Sequence, residues 1–231
     1  MNVLVVYAHP SPNSFNAALK DAAVETLRQA GHTVEISDLY AMNFKAAADG
    51  ADFPAPVDPA NLTYAAEQAA ALDAGTTADD LKAEQEKLAR ADVVFFQFPL
   101  WWYSAPAILK GWLERVLSMG YAYGAGRMFD KGGLGGTKAM LSFTTHGLES
   151  SFADDGWHGP ITDVLTPLHQ GLRFVGFDIL PPFVAYNVIR SSDEERRAMM
   201  GDLKKRLNAL PETPVIPYPA LAAYDHQGVM R

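Results

Sequence analysis

The amino-acid sequence predicts an α/β protein with a doubly wound, five-stranded parallel sheet and helices on both of its faces. Five short runs rich in Val, Ile, Leu and Phe alternate with longer segments whose apolar residues recur at helical spacing. The strand runs are apolar almost throughout, which is typical of strands buried on both faces. No repeat or low-complexity linker divides the 231 residues, so we expect a single domain over residues 1–231.

The first elements predict a strand–helix–strand unit. Asn2–Ala8 (NVLVVYA) is an apolar run rich in valine, and Thr33–Ser37 (TVEIS) is the next candidate strand. Between them, Ser14–Gln29 has apolar residues at helical spacing, and Gly31 stands where a glycine often ends a helix. We expect this unit to be right-handed, as nearly all such units are.

The middle of the chain repeats the alternation. Thr77–Ala91 predicts a helix, with Thr77 or Asp79 as its N-cap. Val93–Phe98 (VVFFQF) predicts a third, strongly apolar strand. Pro106–Leu117 predicts a helix that opens with proline in its first turn, where the missing N–H does no harm.

The last four elements complete the predicted sheet. Lys138–Thr144 predicts the fourth strand and Ile161–Phe174 a helix. Phe177–Tyr186 predicts a fifth strand that Pro181-Pro182 interrupts. Ser192–Leu207 predicts a final helix, because acidic residues fill its first turn and basic residues lie near its end, matching the helix dipole.

Two segments lie outside this alternation. Residues 40–76 contain three prolines and many alanines, which predicts an inserted surface segment with a short helix near Tyr64–Leu72. Such a segment is either a passive loop or part of a binding site. Residues 210–231 predict an irregular, proline-rich C-terminal tail that lies on the surface or in an interface.

Composition narrows the classes of function. The net charge is −8 and the sequence pI is about 5.2, which argues against nucleic acid or an anionic membrane as the main partner. The absence of cysteine excludes disulfides, thiolate metal sites and a cysteine nucleophile. No apolar run is long enough to span a membrane, and no metal site is indicated. We expect a cytoplasmic protein.

Ligands of open α/β sheets bind beyond the carboxyl ends of the strands, where three loops of this chain meet. The first loop, His9–Asn16, ends at a helix N-terminus, whose free N–H groups and dipole favour an anion. His9, Ser14 and Asn16 can add side-chain donors. The loop lacks the glycines of a dinucleotide fingerprint. Alternatively, Ser14 only caps the helix.

The second loop, Pro99–Ala105, places Trp101, Trp102 and Tyr103 directly after a buried strand. Clustered exposed aromatic side chains usually mark a surface that something else covers. We interpret them as a wall for a planar ring system. The alternative is an interface patch or a local small core.

The third loop, Thr144–His158, offers hydroxyl groups from Thr144 and Thr145. Gly147 allows close backbone approach, and His158 precedes a helix. An ordinary polar surface loop would have a similar composition. Taken together, an anion site, an aromatic wall and a polar loop match the phosphate, ring face and ring edge of a flavin.

Several sequence blocks occur together: SFN at 14–16, SDLYAMNF at 37–44, AEQEKLARADVVFFQFPLWW at 83–102, PAILKGWLERV at 106–116, MFDKG at 128–132 and TTHG at 144–147. Together they resemble the NAD(P)H:quinone oxidoreductases of the DT-diaphorase type, from residue 2 to about residue 210. The resemblance implies a flavodoxin-like fold, a tightly bound FAD rather than FMN, and NADPH or NADH as reductant. It also implies a homodimer whose two active sites lie at the subunit interface.

The resemblance assigns roles residue by residue. His158 matches a histidine that steadies negative charge on the pyrimidine carbonyl of the reduced flavin. Tyr123 and Phe174 match substrate-pocket aromatics that the other subunit contributes, and Tyr103 lies on the substrate side of the flavin. The implied FAD-binding positions, from the pyrophosphate to the ring and the adenine, are His9, Ser14, Phe15, Asn16, Pro99, Leu100, Trp102, Tyr103, Thr144, Thr145, Gly147 and Arg196.

The sequence departs from this family pattern at three positions. A glycine pair is replaced by His146-Gly147, which sets a bulky polar ring beside the flavin and makes His146 a second catalytic candidate. The tyrosine that partners the active-site histidine is Phe152 here, so the substrate pocket loses a hydroxyl. Either His158 then acts alone, or His146 supplies the lost donor. A second tyrosine of the substrate lid is Ala125, which would enlarge the pocket mouth.

These observations predict an FAD-dependent NAD(P)H:quinone oxidoreductase that transfers hydride by a ping-pong route to a quinone or a similar planar acceptor. One alternative is an azo or nitroaromatic reductase that uses the same site. Another is a non-catalytic flavin redox sensor or ancillary subunit, which the changes at His146 and Phe152 keep open.

Overall fold

The structure, a computed structural model, describes residues 1–225 and 227–230 and contains one five-stranded sheet. All the strands pair in parallel, in the order β2-β1-β3-β4-β5. The predicted doubly wound parallel sheet is therefore confirmed. The strands are β1 Asn2–Tyr7, β2 Thr33–Asp38, β3 Val93–Pro99, β4 Lys138–Thr144 and β5 Asp178–Ala185.

In the part of the chain that the structure describes, six helices connect and cover the strands. No helix of the described residues has both the length and the apolarity needed to cross a membrane. Short 3-10 turns occur in the connecting loops and in the tail. The helices are α1 Phe15–Gln29, α2 Tyr64–Ala74, α3 Asp79–Arg90, α4 Ala107–Val116, α5 Ile161–Phe174 and α6 Asp193–Asn208.

The sheet separates two hydrophobic cores. Successive strand residues point to opposite faces, so Val3 and Val5 pack into one core while Leu4 and Val6 pack into the other. Helices α1 and α6 cover the first core, whereas α3, α4 and α5 cover the second. With both faces covered, ligand access is left to the strand ends and the loops that follow them.

The predicted N-cap of the third helix is wrong. Helix α3 begins at Asp79, and its N-cap is Ala78, which makes no side-chain capping hydrogen bond. Thr77 therefore lies one residue too far upstream to cap the helix. Asp79 lies inside the first turn, where its charge complements the helix dipole instead.

The proline pair bends the fifth strand without breaking it. Leu180 pairs with Met140 and Phe183 with Ser142, so two prolines stand opposite the single residue Leu141. This irregular register is a bulge, and the two prolines are tolerated there because β5 is the edge strand of the sheet. The prediction of an interruption is thus corrected to a bulge within a continuous strand.

A buried ion pair fastens the inserted segment to α4. Arg115 is 1% exposed and donates from Nη2 to Asp52 Oδ1 at 2.7 Å and from Nε to Asp52 Oδ2 at 3.2 Å. The hydroxyl of Tyr64, the first residue of α2, donates to Asp52 Oδ2 at 2.6 Å. Residues 40–76 therefore pack against α4 through a charged centre that the sequence pattern did not indicate.

The C-terminal tail runs along the edge of β5. The Ile216 N–H donates to the Ile179 carbonyl at 2.7 Å, and the Arg173 guanidinium lies 3.7 Å from the centre of the Tyr218 ring. The predicted tail also includes His226 and Arg231, which lie outside the described residues.

Candidate functional site

The three predicted loops meet at the carboxyl edge of the sheet, next to the β1/β3 switch in strand order. The Leu100 N–H after β3 donates to the Thr144 carbonyl at 2.8 Å. The His9 ring after β1 lies 6.0 Å from the Trp101 ring. Direct contacts thus join the loops that follow β1, β3 and β4 into one site.

The first loop presents a helix N-terminus. Ser14 is the N-cap of α1, and its Oγ accepts from the Ala17 N–H at 3.1 Å. The N–H groups of Phe15 and Asn16 in the first turn have no protein acceptor in the described part of the chain. Ser14 therefore caps the helix and still leaves backbone donors for an anion, so the two readings of this serine are compatible.

A buried chain of hydrogen bonds lies beneath the site. Asn16 is 4% exposed; its Nδ2 donates to Thr144 Oγ1 at 2.8 Å, and its Oδ1 accepts from Gln97 Nε2 at 2.9 Å. Ser142 Oγ donates to Gln97 Oε1 at 2.7 Å. The Asn16 side chain therefore links α1, β3 and β4. Gln97 and Ser142 were not predicted as site residues, although a lone glutamine within VVFFQF indicates such a network.

Asn16→Ala is expected to lower the free energy of unfolding by about 1–3 kcal/mol, because it leaves buried groups of Gln97 and Thr144 without partners. Urea unfolding of the cofactor-free protein measures the change. Asn13→Ala is the matched control, since Asn13 is exposed in the same loop, and it should shift the value by no more than about 0.5 kcal/mol. Equal effects of the two variants would contradict the role of the network.

The second loop is a tight turn with unusual backbone angles. Trp101 and Ser104 exchange both backbone hydrogen bonds at 3.0 Å, and between them Trp102 has φ 51° and Tyr103 has φ 58°. Two consecutive positive φ values identify a type I′ turn, whose central positions favour Asn and Gly over aromatic residues. Trp102 is 97% exposed. The turn therefore holds an aromatic face in the open, at the cost of backbone strain.

The third loop packs His158 tightly. The Phe152 and His158 rings stack with their centres 4.5 Å apart and their planes at 21°. Tyr103 Oη lies 2.7 Å from His158 Nδ1. A Cβ on Gly147 would come within 2.7 Å of Phe152 Cε2 and within 3.2 Å of His158 Nε2. Position 147 thus admits only glycine without displacing the histidine and the aromatic ring beneath it.

The two threonines of the third loop are largely used internally. Thr144 and Thr145 are both buried. Thr145 Oγ1 accepts from the Gly147 N–H at 3.2 Å, and the Thr145 N–H donates to the Ala185 carbonyl at 2.9 Å. His146, by contrast, is exposed and makes no side-chain hydrogen bond within the described residues. The candidate histidines therefore differ: His158 is held in place and His146 is not.

Arg196 lies beside this edge, in the first turn of α6. Its Nη2 donates to the Val188 carbonyl at 3.1 Å, and the Val188 N–H donates to the Thr145 carbonyl at 3.1 Å. Two further residues near the edge were not singled out from the sequence. Trp157 is 83% exposed next to His158, and the buried Asn187 Oδ1 has no partner among the described residues. Their signals, one tryptophan and one asparagine in polar loops, are too common to identify a site.

The predicted substrate aromatics Tyr123 and Phe174 lie elsewhere. Their rings pack 5.3 Å apart and line a groove of about 710 Å³ between α2, α4 and α5. Ser104, which follows Tyr103, and Lys110 also line this groove. Neither aromatic ring contacts Tyr103 or His158 within the described chain. The groove is largely apolar, apart from a few polar side chains.

The donor set of this edge fits a flavin. Free N–H groups at the start of α1 suit a pyrophosphate, and the exposed indole of Trp102 suits a flat ring. Gly147 leaves room for close approach beside His158. The groups predicted to touch phosphate, ring face and ring edge therefore lie on adjoining loops at one edge of the sheet.

Comparison with known proteins identifies the family of the chain. Residues 1–207 match a family described by its flavodoxin-like fold. The chain is 43% identical over 210 residues to mouse ribosyldihydronicotinamide dehydrogenase [quinone], covering 90% of this chain and 91% of that protein. It is 42% identical over 224 residues to rat NAD(P)H dehydrogenase [quinone] 1, covering 96% of this chain and 82% of that protein.

A solved structure agrees over the full length. A Klebsiella pneumoniae protein proposed to be a quinone reductase superimposes with a TM-score of 0.96 at 40% identity, covering 100% of this chain and 94% of that one. The order of the strands, the placement of the loops and the sequence similarity therefore all indicate the same family. The chain belongs to the flavodoxin-like family and, within it, to the NAD(P)H:quinone oxidoreductases.

Proposed function

We propose that this protein binds FAD and catalyses the two-electron reduction of quinones by NADH or NADPH, by a ping-pong route. The observation that carries the proposal is the convergence at one sheet edge of a free helix N-terminus, an exposed aromatic turn and a fixed histidine. The family membership supplies the substrate class. The bound flavin would supply the hydride chemistry, accepting hydride from the nicotinamide and passing it to the quinone.

The residues of the chain would bind and orient the reactants. The N–H groups of Phe15 and Asn16 would hold the pyrophosphate, and Arg196 would hold the adenine side. Trp102 would cover a ring face. His158 would offer a proton at Nε2 toward the pyrimidine side, where negative charge develops during reduction.

The choice of FAD over FMN is part of this proposal. Two observations support it: Arg196 lies beside the third loop, and the relatives align over at least nine-tenths of this chain. Mass spectrometry of the cofactor released from the purified protein decides between the two flavins.

We also propose that the active unit is a homodimer. Tyr123 and Phe174 face an open, largely apolar groove instead of His158, which is the arrangement expected if they complete the site of a second copy. Sedimentation equilibrium measures the assembly state. A monomer at micromolar concentration would contradict this part of the proposal.

Steady-state oxidation of NADH and NADPH by flavin-loaded protein, with menadione as acceptor, tests the function. We expect menadione-dependent turnover and no requirement for added metal. Parallel assays with an azo dye and a nitroaromatic compound compare the alternative acceptors. Faster turnover of the azo dye would assign a different physiological substrate to the same site, and a yellow protein that turns over none of these acceptors would favour a redox sensor.

A further inference from the structure

The hydroxyl group expected at position 152 is absent, yet the structure brings another hydroxyl to the same histidine. Phe152 stacks on the His158 ring and has no polar atom to offer. Tyr103, from the loop after β3, places its Oη 2.7 Å from His158 Nδ1. The hydroxyl partner of His158 thus comes from a different loop, 55 residues away in sequence.

The backbone of the aromatic turn puts Tyr103 there. The left-handed region is sterically unfavourable for a non-glycine residue, and both Trp102 and Tyr103 adopt it. Strain of this kind persists only where surrounding contacts hold it, and it clusters at functional sites. The bond to His158 is such a contact, because it ties the Tyr103 side chain to the third loop.

Other contacts fix the His158 ring and set the position of its second nitrogen. Phe152 packs flat against one face, and the backbone N–H of His158 donates to the Ser151 carbonyl at 2.9 Å. Nε2 points toward Gly147, where a Cβ would lie only 3.2 Å away. It has no hydrogen-bond partner in the described part of the chain. The two ring nitrogens are therefore different: Nδ1 faces a hydroxyl and Nε2 faces the ligand edge.

We propose that Tyr103 is a positioning residue whose hydroxyl donates to His158 Nδ1 and so holds the ring in the tautomer that carries its proton on Nε2. A neutral tyrosine has one proton to donate, and a neutral imidazole that accepts at Nδ1 must carry its own proton on Nε2. The benefit of this tautomer to catalysis rests on the proposed function, because it requires a bound flavin beside the Nε2 proton. The tautomer itself does not depend on it.

Nitrogen-15 chemical shifts of the His158 ring test the proposal, since they distinguish a protonated ring nitrogen from an unprotonated one. The spectra are recorded on flavin-loaded protein at alkaline pH, where titration of the ring shows it to be neutral, and His158→Gln assigns the signal. In the unaltered protein we expect the proton on Nε2. In Tyr103→Phe we expect the ratio of the Nε2–H to the Nδ1–H tautomer to fall about fivefold, which corresponds to the loss of one neutral hydrogen bond.

Tyr40→Phe is the matched control, because the Tyr40 hydroxyl makes no hydrogen bond within the described residues, and it should leave the ratio unchanged. A proton on Nδ1 in the unaltered protein, or an unchanged ratio in Tyr103→Phe, would overturn the proposal. These outcomes separate it from the proposed function. A protein that reduces menadione but carries Nδ1–H contradicts only the role of Tyr103, whereas the expected tautomer without turnover contradicts only the function.

Discussion

Arg115→Met is expected to lower the free energy of unfolding by about 3–5 kcal/mol, because the buried carboxylate of Asp52 loses its buried cation and keeps only the partly exposed Lys45 as an ion-pair partner. Arg115 and Asp52 are 1% and 3% exposed, and two hydrogen bonds join them. Arg115 Nη1 also donates to the Lys45 carbonyl at 2.7 Å and to Asp80 Oδ2 at 2.9 Å. The guanidinium therefore fastens the inserted segment to both α3 and α4.

The pKa of Asp52 gives this centre a defined pH dependence. Burial alone would raise the pKa of Asp52, but hydrogen bonds from Arg115, Lys45 and Tyr64 outweigh it and hold that pKa well below its usual range. The folded state therefore binds the Asp52 proton less tightly than the unfolded state does. The resulting stability is present above the usual carboxyl pKa of about 3.9 and is lost as the pH falls below it.

Guanidinium unfolding curves at neutral and at acidic pH measure the loss of stability in Arg115→Met and the pH dependence that Asp52 confers. Arg90→Met is the matched control, since Arg90 makes a two-point salt bridge with Glu35 that is exposed to solvent. It should cost about 0.2–1 kcal/mol. If Arg115→Met cost no more than Arg90→Met, the buried ion pair would not anchor the inserted segment.

The hydrophobic pattern predicted the sheet because a buried strand is recognisable from a short local run of apolar residues. The third strand, predicted over Val93–Phe98, runs over Val93–Pro99, and the fourth matches Lys138–Thr144 as predicted. Pattern says which face a residue occupies but not which polar group it meets across the core. Gln97 was therefore assigned to an apolar strand, although its amide holds Asn16 from 81 residues away.

The same limit applies to the candidate site. The sequence located the three loops, since their positions follow from the strand ends. It also indicated that Phe152 removes a hydroxyl, and it left two alternatives: that His158 acts alone or that His146 supplies the lost donor. The hydroxyl that the structure places beside His158 is that of Tyr103, which neither alternative included, and its position depends on the positive φ angles of an aromatic turn. Backbone angles of this kind are rarely predicted where glycine and asparagine are absent.

His158→Gln is expected to lower the rate constant of flavin reduction by NADPH about 10- to 100-fold. Removing a donor aimed at developing negative charge typically lowers a rate constant about 100-fold or more. The expected loss is smaller here, because the glutamine amide still offers an N–H. The ring of His158 is held in position, since Phe152 stacks on it and the Tyr103 hydroxyl lies 2.7 Å from its Nδ1. Single-turnover stopped-flow absorbance at the flavin band measures the rate directly, before any acceptor is added.

Two further histidine variants make this result specific. His32→Gln is the control, because His32 lies at the opposite, amino-terminal end of the strands beside Met1, and its flavin-reduction rate should match that of the unaltered protein. His146→Gln separates the two candidates in the third loop. His146 is exposed and unattached within the described residues, so holding it over a developing charge would require ordering a free side chain. We therefore expect a smaller loss than for His158→Gln, and the reverse order would assign the donor to His146.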